Sequence, residues 1–335
     1  MQNYSARPRN IAIDIAKGIG IILVIIGHGS ILAWIKDAIF SFHMPLFFIL
    51  SGYFFHLEEK PKVRFKKDFN RLIFPYILTM SLITIYMLVC HLVIKKDGFY
   101  YINKTLLCWI FPTSTLHNLD FGTFSIPIWF LFALFWTKGV FNLIENIHSD
   151  LRYLILLALV ALAFYINYLK IDLPFSISQG LICMLFYWGG YEYKRLANVI
   201  NIRDRYKIFI IPFVIILWIV GIINSDLNVI SLKFHNIPLS VITGFSGTLV
   251  TLFFSDIIVF GRNNVLCLIP KLLSWAGRNS MVILCAHSLF RFLPIMSPFE
   301  KYGNTVTIVI QIIFCFITVL LCNTNKWTKS LFGMK

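Results

Sequence analysis

Between residues 10 and 55, NIAIDIAKGIGIILVIIGHGSILAWIKDAIFSFHMPLFFILSGYFF, the ionisable side chains Asp14, Lys17 and His28 interrupt an apolar run long enough to cross a bilayer. A charged side chain at the centre of a spanning helix costs about 2.5–3.5 kcal/mol on insertion scales, so groups kept there mark functional sites. Lys17 and His28 are eleven residues apart, close to three turns at about 3.6 residues per turn. Both therefore project from one helix face, roughly 16 Å apart, and Asp14 is expected on that face too. At that separation the lysine and the histidine serve two ends of one polar path. A neutral imidazole takes a proton from a hydroxyl near neutral pH, which is general-base chemistry. Gly27 and Gly29 flank His28 and let backbone or substrate come close. The plainer alternatives are a histidine bonded to a neighbouring helix and a lysine that snorkels to the interface.

The elements that must position these residues are helices. The 335 residues are 58% hydrophobic and 13% charged, with a mean hydropathy of +0.78. This is the composition of an all-α, polytopic integral membrane protein. Apolar windows fall near residues 11–33, 38–56, 72–94, 124–144, 151–170, 175–193, 208–224, 239–260, 273–293 and 304–322, about ten transmembrane helices in one membrane-embedded domain over 1–335. With the N-terminus inside, twenty of the thirty lysines and arginines fall on inner segments and eight on outer ones, so both termini are expected to be cytoplasmic. The first apolar stretch lacks a cleavage site and reads as a retained helix. The net charge of +15 is explained by that asymmetry, and no nucleic-acid-binding signature accompanies it. Seven scattered cysteines without ligand spacing read as buried hydrophobes, and no metal is expected. The longest outer connection, residues 95–123, carries Tyr100, Tyr101, Trp109 and Phe111 before Pro112. It is expected to lie in the interface, as an anchor or as a cover over the site.

At the first helix the chain resembles the membrane acyltransferases of the acyltransferase-3 type, in particular the fucose 4-O-acetylase-like branch. Asp14, Lys17 and His28 follow that family's order of an acid, a base, ten residues and a histidine. FHMPLFFILSGYFF, residues 42–55, is similar to its second-helix signature. RLIFPY from Arg71 to Tyr76, WFL from Trp129 to Leu131, and AGRNS from Ala276 to Ser280 leading to His287 extend the likeness. The family's RxxR pattern has its nearest match in Arg64-x-x-Lys67.

The resemblance implies an integral membrane O-acyltransferase. It would take acetyl from cytoplasmic acetyl-CoA, a co-substrate with no further cofactor, to a hydroxyl of a cell-envelope sugar, polysaccharide or lipid-linked glycan. His28, Asp14 and Lys17 would then be catalytic. Lys17, Arg71, Arg278, Asn279 and Ser280 would bind acyl-CoA, with Lys66, Lys67 and Arg195 as further basic candidates. His43, Trp129, His287 and Arg291 would surround the acceptor, although helix-to-helix hydrogen bonds and an aromatic belt explain such residues equally. The expected location is the cytoplasmic or inner membrane, multi-pass, and self-association as a homo-oligomer is left open. Lys138 and Gln311 have no assigned role; Lys138 snorkels or pairs with Glu145, and Gln311 bonds another helix. The rival reading is a transporter or flippase of an envelope precursor, though Asp14, Glu145, Glu192 and Asp256 lie nearer span ends than a proton-coupled carrier's carboxylates. A structural partner of a polysaccharide synthase is a second rival.

Overall fold

The computed structural model describes residues 10–56, 60–90, 105–113, 126–199, 204–225, 227–260, 268–291 and 303–332. Its helices are α1 (Ile11–Gly27), α2 (Ala33–Phe40), α3 (His43–Tyr53), α4 (Pro61–Asp68), α5 (Phe74–Val89), α6 (Trp129–Ile144), α7 (Ser149–Tyr168), α8 (Ile177–Ile182), α9 (Met184–Val199), α10 (Asp204–Asn224), α11 (Ile237–Phe260), α12 (Leu268–Arg278), α13 (Ser280–Phe290), α14 (Asn304–Thr324) and α15 (Lys326–Leu331). Ala33–Tyr53, Pro61–Val89, Asp150–Tyr168, Ile237–Val259 and Asn304–Thr324 are long and apolar enough to cross a membrane, and shorter apolar helices join them. The protein is an all-α polytopic membrane protein. Leu154 on α7, Phe209 and Phe213 on α10 and Leu321 on α14 are exposed, as suits helices whose outer faces meet lipid and whose backbone bonds close internally.

Helices cover the described parts of the expected windows, but several are broken. The first helix ends at Gly27 rather than near residue 33, and His28 is its C-cap, still in the right-handed region. At its other end Asn10 caps it, accepting from the backbone of Ala12 and Ile13 at 3.0 and 3.3 Å. A Cβ on Gly27 would lie 3.1 Å from Ile39 and 3.3 Å from Phe40, so the bare glycine lets α2 fold back over the helix end. The window at 273–293 breaks at Asn279, between α12 and α13. The window at 175–193 is interrupted at its start by Phe175 and Ser176, both in the left-handed region. Ahead of α5, Phe69–Ile73 opens into a π turn, with the Phe74 N–H reaching back to the Phe69 carbonyl. Pro75 has no N–H to give the Arg71 carbonyl, which favours this wider turn.

Two crossings hold the bundle together. A Cβ on Gly277 would fall 1.8 Å from the Asp14 carbonyl oxygen, and one on Gly18 2.0 Å from that of Leu273; here α1 meets α12 backbone to backbone. In the same way α3 meets α9, through Gly52 against Tyr187 and Gly190 against Ile49. Small residues at helix contacts are how membrane helices gain packing energy without a hydrophobic drive. Tyr76, Tyr187, Phe48 and Phe141 fill the fully buried centre.

The part of the 95–123 connection that is described packs against the bundle. The Trp109 indole donates to Thr84 Oγ1 at 2.9 Å and the Tyr76 hydroxyl donates to the Trp109 carbonyl at 3.0 Å. Tyr100 and Tyr101 lie outside the described residues.

Replacing Gly190 by Ala is expected to force α3 and α9 apart, since its methyl would sit 1.9 Å from the Ile49 carbonyl oxygen, with an overpacking cost of about 1–3 kcal/mol or more. Gly139→Ala is the control: its nearest neighbour is Phe65 at 3.8 Å, and alanine is the better helix former. Size-exclusion profiles and melting temperatures in detergent should separate the two, with only Gly190→Ala unstable.

Candidate active site

Four helices line three adjoining cavities, which together form a passage by the lining residues they share. Along α1 the lining residues are Lys17, Ile21, Val24 and His28, one helix face read end to end. Opposite in direction, α3, with its C-cap Phe54, contributes Ser51, Phe47, Met44 and His43, and α6 contributes Asn142, Lys138, Leu134, Phe130 and Trp129. The fourth wall is α13, from Ser280 and Met281 through Leu284, with Arg291 just beyond its end. The passage is three cavities in series. A basic cavity of about 630 Å³ holds Lys17, a histidine cavity of about 230 Å³ holds His28, and an apolar throat of about 50 Å³ lies between them. The throat shares Val24, Met44 and Leu284 with the histidine cavity, and Phe47, Phe130, Ser280 and Met281 with the basic one.

In the histidine cavity the imidazoles hold defined tautomers. His28 Nδ1 lies 2.7 Å from the Val24 carbonyl oxygen and His43 Nδ1 lies 2.8 Å from that of Ile39. A carbonyl only accepts, so in both rings Nδ1 carries the proton and Nε2 keeps its lone pair. The Phe40 ring stands between them, 5.8 Å from His28 and 4.9 Å from His43. His287 is fully buried behind His28, with ring centroids 5.1 Å apart. Its Nδ1 accepts from the Gln311 amide at 2.7 Å, and the same amide nitrogen faces the His287 carbonyl at 3.5 Å. His287 therefore carries its proton on Nε2, for which no partner is found among the described residues. Trp129 and Arg291 line this cavity, as does Lys36. A loop carrying Asn228, Val229 and Ile230 covers it; Asn228 pairs with Lys233, and the Gln179 amide donates to the Ile230 carbonyl at 3.1 Å.

The basic cavity is lined by five cationic side chains, Lys17, Arg64, Lys67, Arg71 and Lys138, against one carboxylate, Asp68. Arg71 sits on the π turn. Arg64 is buried, its guanidinium 4.4 Å over the Phe55 ring, and the Lys17 ammonium stands 4.8 Å from the centroid of Phe54. Ser280 lines both this cavity and the throat.

Thus the structure gathers His28, His43, His287, Trp129 and Arg291 at one end and Lys17, Arg71 and Ser280 at the other. It does not bring the remaining candidates to either cavity. Asp14 is buried where α1 crosses α12 and lines neither. Arg278 is exposed in the last turn of α12. Asn279 turns its amide back to the Trp275 carbonyl at 2.8 Å, occupied with ending its own helix. Lys66 and Arg195 line no part of the passage. Lys138 neither snorkels nor pairs with Glu145; its partner is Asp68. Glu145 is taken by Arg152 at 3.0 Å and by the Tyr191 hydroxyl at 2.5 Å. Lys36 and the covering loop were missed because nothing in their local pattern distinguishes them. Arg64 carried a signal, its spacing from Lys67. Among the described residues no group of three or more His, Cys, Asp or Glu could hold a metal ion.

The model of one protein family, described as an acyltransferase domain of the acyltransferase-3 type, matches residues 10–323. No curated protein and no solved structure matches the chain.

Gln311→Leu should remove the donor that fixes the His287 ring while keeping similar bulk. Stranding a buried acceptor costs about 1–3 kcal/mol, so a matching fall in detergent melting stability is expected; an unchanged melting temperature would mean that the pair is not formed.

Proposed function

Because the chain belongs to the acyltransferase-3 family, we propose that it transfers an acetyl group from cytoplasmic acetyl-CoA to a hydroxyl of a cell-envelope sugar, polysaccharide or lipid-linked glycan, as the fucose 4-O-acetylase-like branch would. The observation that carries this reading is the pairing of a cationic cavity with a histidine cavity on one face of α1, with a small apolar cavity of about 50 Å³ between them. Coenzyme A phosphates dock among Lys17, Arg64, Lys67 and Arg71, where charge-assisted hydrogen bonds are strongest. The thioester arm extends into the throat. The acceptor hydroxyl enters the histidine cavity, with a sugar face against Trp129.

The chemistry then needs one base. His28 Nε2 takes the hydroxyl proton as the oxygen attacks the thioester carbonyl, and the Nδ1–H bond to Val24 fixes the ring for that task. Collapse of the tetrahedral intermediate breaks the C–S bond, and the imidazolium returns the proton to the departing sulfur. The products are the acetyl ester and the free thiol of coenzyme A. Lys36 and Arg291 border the cavity, and their charge supports a role in holding the acceptor or the carbonyl oxygen as charge develops.

His28→Ala is expected to lower transfer by about 10²–10⁴-fold in purified protein that remains folded. Near-normal turnover would sink the assignment. Arg71→Ala and Arg64→Ala should each weaken acetyl-CoA binding about ten- to a hundredfold, the loss of a charged hydrogen bond of about 1.5–3 kcal/mol. Arg278→Ala, outside the cavity, should leave binding unchanged; calorimetry on the three variants distinguishes them. In oriented vesicles product should form with acetyl-CoA inside and acceptor outside only. A requirement for acceptor on the acetyl-CoA side would reverse the sidedness.

A further inference from the structure

The throat is the smallest of the three cavities on the proposed route of the acyl group, and its walls differ from those of both neighbours. From Ile21 to Val24 it spans three residue steps of α1, about 4.5 Å of helix rise. At roughly 50 Å³ it has less than a quarter of the histidine cavity's 230 Å³ and less than a tenth of the basic cavity's 630 Å³, with room for a small group only. Apart from Ser280, every lining side chain is aliphatic, aromatic or a thioether. The Phe130 ring packs against Phe47 at 5.8 Å and Phe48 at 5.2 Å between centroids. Phe47 in turn rests on Gly20, where a Cβ would lie 3.3 Å from its ring. Met44 and Met281 fill the gaps that the rings leave, as unbranched thioethers do in irregular apolar space.

Resting on the acyl-transfer reading above, we infer that this throat selects the acyl group: it admits short, unbranched, uncharged acyl thioesters and rejects branched and carboxylate-bearing ones, with Phe130 and Met281 setting its width. Phosphates held in the basic cavity can bring a carbonyl to His28 only by passing the acyl end first through the throat. A second methyl on the acyl chain then collides with Phe130 or Met281. A terminal carboxylate would have to shed its water between apolar walls, where unpaired charge is strongly disfavoured. The throat thus discriminates on cross-section and charge rather than on length alone.

The test uses the full chain in proteoliposomes, with radiolabelled acetyl-, isobutyryl- and succinyl-CoA and chemically deacylated cell-envelope polysaccharide of the producing strain as acceptor. Wild type should transfer acetyl and discriminate against isobutyryl and succinyl by at least about tenfold, the lower end of what one misplaced methylene achieves in a pocket. Phe130→Ala and Met281→Ala should each raise the isobutyryl-to-acetyl ratio about tenfold or more. Should Phe130→Ala fail to fold, Met281→Ala, at a half-buried position, decides. Unchanged ratios in variants that still transfer acetyl overturn the throat as selector while the acyltransferase reading stands, and so does wild-type use of succinyl-CoA on a par with acetyl-CoA. If wild type neither transfers from nor binds any of the three thioesters, the acyl-CoA reading fails and the selector falls with it.

Discussion

Two helices can touch backbone to backbone only where a side chain is missing, and the passage in this protein depends on two such places. Gly18 and Gly277 bring α1 onto α12, and Gly52 and Gly190 bring α3 onto α9. Each contact fixes the rotation of a helix that forms a wall. Once α1 is locked, Lys17, Ile21, Val24 and His28 must face inward together, because they recur at helical spacing on one side. Once α3 is locked, Met44 and Phe47 must meet them. In lipid there is no hydrophobic drive to press these helices together, so close packing of small residues carries the specificity.

The breaks in the helices have a second role. A membrane-spanning backbone can leave the helical path only where protein or a cavity meets its exposed groups. Here the break after Gly27 borders the histidine cavity, the break at Asn279 lies beside the throat, and the π turn at Phe69–Ile73 borders the basic cavity. Each interruption moves a functional side chain: His28 onto a helix end, Ser280 onto a helix start, Arg71 onto a widened turn.

How much of this could be read from the sequence follows from which interactions are local. The shared face of Lys17 and His28 needs only the helical repeat, and it was readable. The apolar windows needed only composition. Their breaks were less readable, since glycine, proline and asparagine are tolerated inside membrane helices. Asp14 lies three residues before Lys17, about 60° off its face, and the glycine of a distant helix claimed that side. Lys138 illustrates the same limit. Glu145 is two turns away on its own helix, but Asp68, seventy residues back in sequence, is its partner, and only the folded bundle reveals that choice. Gln311 and His287 are another such pair. Arg278 and Asn279 looked like donor contacts because of their side and type; the end of α12 turns one to the surface and the other onto its own backbone.

On the proposed route the apolar throat would also act as an electrical insulator. A polar passage through a bundle that spans a bilayer would short-circuit the membrane, but an apolar constriction between two polar cavities, lined by Ile21, Val24, Phe47 and Phe130, would confine the potential drop to its own few ångströms. Moving one elementary charge through that drop costs or releases about 2.3 kcal/mol per 100 mV. A neutral thioester going in and a neutral thiol coming back carry no charge through it, whereas a departing thiolate would carry one. On the proposed route, the proton that His28 hands to sulfur is therefore also what uncouples turnover from the voltage across the membrane.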